Sequence, residues 1–187
     1  MKLLVPILVI LVLAGSCQEA QPRWPVEAKG GSFLKLSAER NRRLLEQEEA
    51  LMAQLMAGDS AHAYLESASG THFYYEVQAE TEGYKPQPDD LVTLRYNLMT
   101  WNNDTLYSEA EIGTLRYKVD KQELFPGLRN SVKLLQEGET AVFLFPSSLG
   151  YGYHGDNERI GANVPLKSRL TLLKIEKNTD TIPSNTY

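Results

Sequence analysis

Apolar positions follow three patterns along the chain, and each predicts a different structure. Leu3 to Leu13 is almost unbroken apolar sequence, interrupted only by Pro6. From Ser37 to Ala57 the residues Leu44, Leu45, Glu48, Leu51, Met52, Leu55 and Met56 recur at helical spacing, with charges between them. Ser37 is a suitable N-cap and Gly58 a suitable stop. From Thr71 onward the period shortens to two. Val92, Leu94, Tyr96 and Leu98 share one face of a strand, and Thr93, Arg95 and Asn97 the other.

The remaining elements follow from similar signals. His72 to Val77 is aromatic and β-branched, and a turn-rich stretch from Glu82 to Asp90 follows it. Thr105 to Ser108 and Thr114 to Val119 predict short strands, Ala141 to Phe145 an apolar strand, and Ser168 to Ile175 a last strand. One helix is predicted near Pro126 and Gly127, with Leu124, Leu128, Val132 and Leu135 as its stripe and Gly138 as its end. Ser147 to Asn163 is a polar, glycine-bearing loop. The fold class is α+β, with an antiparallel sheet, a single short helix on one sheet face and an N-terminal helical extension.

These patterns divide the chain into residues 1–16 as a signal peptide, 17–35 as a tether, 36–66 as the amphipathic helix, 70–178 as the folded domain and 179–187 as a flexible tail. The apolar run at the start is too short to span a bilayer comfortably and reads as the hydrophobic core of a signal peptide. Gln18 to Gly31 contains Pro22, Pro25, Gly30 and Gly31 with little apolar periodicity, as a tether does. The helix stripe must bury against something. Either the domain behind it or a second copy would serve, since about three turns cannot stand alone as a coiled coil.

Composition narrows the function. With 187 residues, 42% hydrophobic and 23% charged, the chain holds enough apolar surface for one domain and its extensions. A net charge of −5 leaves no basic footprint, so nucleic acid is not an expected partner. One Cys and three His give neither an internal disulfide nor a zinc-spaced cluster, and no cofactor or metal is implied.

Two sets of motifs resemble known families. Leu13-Ala14-Gly15-Ser16-Cys17 resembles the lipobox of bacterial lipoproteins, although Ala14 stands where Leu is commonest. By that resemblance Cys17 is the lipidated mature N-terminus, and the chain is anchored in the bacterial envelope, facing the periplasm. Three further segments, residues 92–108, 121–152 and 164–176, together resemble the FKBP-type peptidyl-prolyl isomerases. The central one, KQELFPGLRNSVKLLQEGETAVFLFPSSLGYG, agrees in spacing and residue type across its whole length. The lipobox, the N-terminal helix, TLYSEAEIG and GYGYHGDNERIGANVPL together resemble the gliding-motility-associated FKBP-type lipoproteins in particular — a branch in which the domain is tethered to a membrane.

The resemblance implies an FKBP-like sheet wrapped around one short helix and an apolar pocket for proline-containing segments of exported proteins. Tyr96 and Tyr151 match the two pocket tyrosines, and Leu124 and Phe125 the pair leading into the helix. Tyr96, Tyr151 and Phe125 are thus the implied catalytic residues. Leu115 and Tyr117 match two wall positions, and Val164 an apolar loop contact. The sequence departs from the family at four substrate-binding positions. Leu128 stands where Trp usually forms the floor, Leu106 and Leu172 where Phe is usual, and Tyr107 where an Asp normally orients the carbonyl. The pocket is therefore expected to be roomier, and the polar interaction that the Asp would make is expected to be missing or supplied in another way. Two functions remain open: an isomerase for exported proteins, among them motility or secretion components, and a catalytically weak binding module acting as chaperone or envelope-complex subunit. Helical N-terminal extensions mediate dimerisation in some FKBP-type proteins, so a dimer is a further expectation.

Other signals are weaker. Gly150 to Gly155 fits GxGxxG, but a dinucleotide site needs that motif to open a helix. A lone His154 supports neither a triad nor a metal site. Asp156-Asn157-Glu158 lacks the rest of a calcium loop and is expected to be a solvated turn. Tyr74, Tyr75 and Trp101 are expected to be packing aromatics.

Overall fold

A computed structural model of the protein describes residues 30–179. The signal-peptide segment, most of the tether, Cys17 and all but the first residue of the 179–187 tail lie outside that range. Residues up to Glu39 and those from Arg40 onward form two units, and the packing below lies within the second.

Helix α1 runs Gly30–Gly58. It begins inside the stretch expected to be tether and stops well before residue 66, so the assignments of 17–35 and 36–66 both need correction. Ser37 lies within the helix and is not its cap. No breaker separates Phe33-Leu34-Lys35-Leu36 from the periodic stripe, so the helix extends back to the Gly30-Gly31 pair. The stop at Gly58 is as expected. Beyond it, Asp59 accepts hydrogen bonds from the Ala61 amide and the Tyr64 hydroxyl and holds His62 at 2.8 Å. The chain then enters β1 (Leu65–Glu66) and β2 (His72–Val77).

The other elements are β3 (Leu91–Tyr96), β4 (Leu98–Thr100), β5 (Thr105–Tyr107), α2 (Glu109–Ile112), β6 (Leu115–Lys118), α3 (Pro126–Val132), β7 (Thr140–Phe145), a 3₁₀ turn (Ser147–Leu149) and β8 (Leu166–Glu176). The strands form an antiparallel sheet in the order β1-β2-β7-β8-β3-β6, with β4 pairing both β5 and β8. Helix α2 is a second helical turn where one helix was expected in this region. Its signal is legible in hindsight. Ser108 and Glu111 form a reciprocal capping box, in which Ser108 Oγ accepts from the Glu111 amide and Glu111 accepts from the Ser108 amide.

Burial explains the layering. Every residue of β7 is buried, as befits a strand flanked by β2 and β8. In β8 the period of two is clean, with Leu166, Ser168, Leu170 and Leu172 buried and their neighbours half-exposed. Val92, Leu94 and Leu98 face the core as expected, and Tyr96 packs against it half-buried. Leu128 and Val132 of α3, with Leu135 just beyond, bury fully in one core with Phe143, Phe145, Leu170 and Leu172. Tyr117 and Val119 seal the β6 end. A smaller cluster joins Met52 of α1 to Trp101 and Leu144. Trp101 donates its indole N–H to the Leu166 carbonyl at 3.0 Å. Met52 and Glu48 are buried, while Leu45 and Leu51 remain 40% and 47% exposed. The helix therefore seats by a narrower stripe than its pattern implies.

Candidate active site

The pocket is built where α3 begins and the loop after β7 turns back. Phe125 precedes Pro126, which sits at the first helical position with its φ already helical. Gly127 is buried against Phe145 and the Leu149 carbonyl, so α3 starts in close contact with the 3₁₀ turn. That turn is tied by Ser147, whose carbonyl accepts from the Gly150 and Gly152 amides at 3.0 Å each. Tyr151 is held between those two anchors and faces Phe125, with ring centroids 5.3 Å apart. Phe125 in turn meets Phe145 edge-on at 5.4 Å.

The cavity has a volume of about 630 Å³ and is lined by Tyr96, Leu124, Phe125, Pro126, Gly150 and Tyr151, with Glu123 and Arg129 also on its surface. That size suits a short peptide segment. The structure thus brings together all three expected catalytic residues and Leu124. Burial pushes the Tyr96 phenol above its ordinary range. Burial does the same for Tyr151, aided by its neighbours Tyr96 and Asp156. Both phenols stay protonated at neutral pH and can donate. Neither hydroxyl has a hydrogen-bond partner among the described residues.

The other expected substrate-binding residues lie elsewhere. Leu128, Leu172 and Tyr117 are at most 1% exposed and belong to the core behind the pocket, not to its surface. Leu128 is sealed in the same core cluster as Phe125 and Phe145. Tyr117 accepts a hydrogen bond from the Asp120 amide, closing the turn after β6. Leu106, Tyr107, Leu115 and Val164 are half-buried against the same core but do not line this cavity.

Tyr107 makes a polar network of its own. Its hydroxyl donates to Asp156 at 2.5 Å and to Glu158 at 3.2 Å, and the bond to Asp156 pushes the phenol up to about 12. The Arg159 guanidinium lies 4.8 Å from the Tyr107 ring centroid and donates to the Leu106 carbonyl and Glu111. Asp156 also accepts from the Glu158 and Ile160 amides. Its turn is thus internally bonded, and it pins the Tyr151 loop to β5 and α2. Gly155 has φ +65°, and a Cβ there would collide with the Ile160 carbonyl. Gly150 to Gly155 forms turns and opens no helix, so the GxGxxG match has no dinucleotide geometry. Tyr153 and His154 are exposed, and neither lines the pocket.

Sequence reasoning missed Glu48. This α1 carboxylate is 6% exposed and accepts the Ser147 amide at 2.8 Å. It fixes the base of the turn that presents Tyr151. A lone Glu inside an apolar helical stripe was its one visible signal.

Comparisons with known proteins agree with this geometry. The family model for FKBP-type peptidyl-prolyl cis-trans isomerase matches residues 82–173. The probable FKBP-type peptidyl-prolyl cis-trans isomerase FkpA of Neisseria meningitidis serogroup B is 31% identical over 150 residues, 80% of this chain. The chain spans about half the length of that relative, 52%. Among solved structures, a peptidyl-prolyl cis-trans isomerase of Pseudomonas syringae pv. tomato is similar with a TM-score of 0.57 at 20% identity, over 73% of this chain and 96% of its own. FkpA of Escherichia coli is similar with a TM-score of 0.56 at 16% identity, over 91% and 80%. These two likenesses concern the fold. Residues 82–173, which hold the Tyr96–Phe125–Tyr151 pocket, thus form a domain that matches the FKBP-type peptidyl-prolyl cis-trans isomerase family.

Proposed function

We propose that the protein isomerises X-Pro bonds in exported polypeptides. One observation carries the reading: two protonated phenols without internal partners stand over an aromatic wall in a peptide-sized cavity. Peptide-bond rotation meets a barrier of about 18–20 kcal/mol, and an unaided X-Pro bond takes tens to hundreds of seconds. The twisted transition state loses amide resonance and needs no nucleophile or metal. An apolar wall such as Leu124 and Phe125 favours it, while a donor such as the Tyr151 hydroxyl orients the carbonyl. In a proline-limited refolding assay the protein should accelerate the slow phase. Tyr151→Phe should lower kcat/KM by about tenfold, the worth of one oriented hydrogen bond. Absence of acceleration by the unsubstituted protein would sink the reading.

A second reading, a weakly catalytic module that grips proline-containing segments, is favoured by Leu128, which supplies no aromatic floor. The clients in either case are exported proteins, among them motility or secretion components. Anchoring is through lipidated Cys17 on the periplasmic side. Two acyl chains suffice for stable attachment, at about 0.8 kcal/mol per buried CH₂. Among the described residues no helix is long and apolar enough to cross a membrane. Dimerisation through α1 is supported by Leu34, Leu36 and Leu51, which are 68%, 65% and 47% exposed. Leu36→Glu with Leu51→Glu should convert a dimer to a monomer in sedimentation equilibrium; a mass independent of these substitutions removes α1 as the seam.

A further inference from the structure

A second cavity, of about 450 Å³, shares no lining residue with the tyrosine pocket. Its apolar surface comes from Leu45 and Met52 of α1 and from Pro146 and Leu149 at the end of β7. Acidic side chains stand on two different elements around it, Glu49 on α1 and Glu66 on β1. Both are exposed, and neither forms an ion pair among the described residues. No Lys or Arg lines the groove. His72 also lines it, and its Nδ1 is buried without a hydrogen-bond partner among the described residues. The groove therefore offers an apolar floor, two uncompensated negative charges and one unused ring nitrogen.

That combination fits a particular occupant. We propose that this groove is a second polypeptide site, for extended segments that pair an apolar side chain with Lys or Arg. The apolar side chain lies on Leu45, Met52 and Leu149, and the cation meets Glu49 and Glu66. Segments 146–149 and 150–151 are continuous, and the first lines the groove while the second lines the tyrosine pocket. One unfolded client can hence engage both sites, and linkage raises its effective concentration at the pocket. The groove itself requires no proline, so its binding does not depend on isomerase activity.

The test uses a proline-free peptide of alternating Leu and Lys and a counterpart with Glu for every Lys, titrated into the mature chain by fluorescence anisotropy. The Lys peptide should bind, weaken as salt rises, and bind the variant Glu49→Lys with Glu66→Lys at least tenfold more weakly. The Glu peptide should not bind the unsubstituted protein. Turnover of a short proline peptide should be the same in protein and variant. Lys-peptide binding by a protein that fails to accelerate proline isomerisation supports the groove and removes only the isomerase reading. Equal binding to protein and variant overturns the proposal. So does loss of Lys-peptide binding in Tyr151→Phe, which would put the peptide in the tyrosine pocket.

Discussion

Gly127→Ala is expected to lower stability by about 1–3 kcal/mol and to cut kcat/KM for a proline peptide at least tenfold. The added Cβ would sit 2.5 Å from Phe145 Cδ1 and 2.8 Å from the Leu149 carbonyl oxygen. Neither neighbour is the loose end of a flexible side chain. Phe145 is 0% exposed in the core, and the carbonyl belongs to the 3₁₀ turn. Overpacking of this kind costs about 1–3 kcal/mol. Relief requires α3 to move away from the turn, and that movement separates Phe125 from Tyr151, the two pocket walls. Activity therefore falls by more than stability alone predicts. Thermal unfolding, with a shift of about 2–4 °C per kcal/mol for a chain of this size, and peptide kinetics far below the midpoint keep the two effects apart. An unchanged kcat/KM would show that the pocket does not depend on this close approach.

The second large effect is expected at Asp90, which is 1% exposed. Its carboxylate accepts the Tyr84 hydroxyl at 2.7 Å and the Gln87 and Asn178 amides at 2.8 Å each. It thus ties the turn before β3 to the segment after β8. Asp90→Ala leaves three donors without their acceptor, and a loss of about 3 kcal/mol is expected, since hydrogen bonds to charged groups contribute roughly 1.5–3 kcal/mol each and are not additive. Burial works to raise the Asp90 carboxyl, but the amide bonds, the Tyr84 bond and the charge of Lys177 outweigh it and hold the group below its ordinary range. A depressed carboxyl adds stability that is present above its unfolded value of about 3.9 and is lost as pH falls through the lower folded value. Urea unfolding at pH 7 and pH 3 should therefore differ more for the unsubstituted protein than for Asp90→Ala. At the alkaline end the bond to Asp90 pushes the Tyr84 phenol up to about 12. Its contribution is present below about pH 10 and is lost as pH rises through the folded value. Matching acid limbs in protein and variant would assign acid sensitivity to other carboxylates.

Local periodicity carried much of this architecture. Val92, Leu94 and Leu98 point inward because a period of two leaves them one face, and β7 is apolar throughout because strands flank it on both sides. The pocket was legible only through resemblance: nothing in the spacing of Tyr96, Phe125 and Tyr151 brings them together without the fold. The misplaced residues failed for a different reason. Leu128 and Leu172 occupy the expected helix and strand, but their side chains lie in the core, and Tyr117 buries its ring there and turns its hydroxyl to the Asp120 amide. Tyr107 and Glu48 found partners 49 and 99 residues away, in Asp156 and Ser147. Such pairings depend on which polar group the completed fold leaves opposite, and no local window records that. The start of α1 was missed because Gly30-Gly31 reads as linker when no helix is yet known to follow it.

The Glu48–Ser147 bond bears on where this protein can be cut. The family match spans residues 82–173, and a fragment trimmed to those limits discards α1 entirely. Such a fragment strips the lid from Trp101 and Leu144 and leaves the Ser147 amide facing solvent at the root of the tyrosine turn. The smallest faithful unit therefore begins upstream of Glu48, and the helix is part of the scaffold that holds the tyrosine turn.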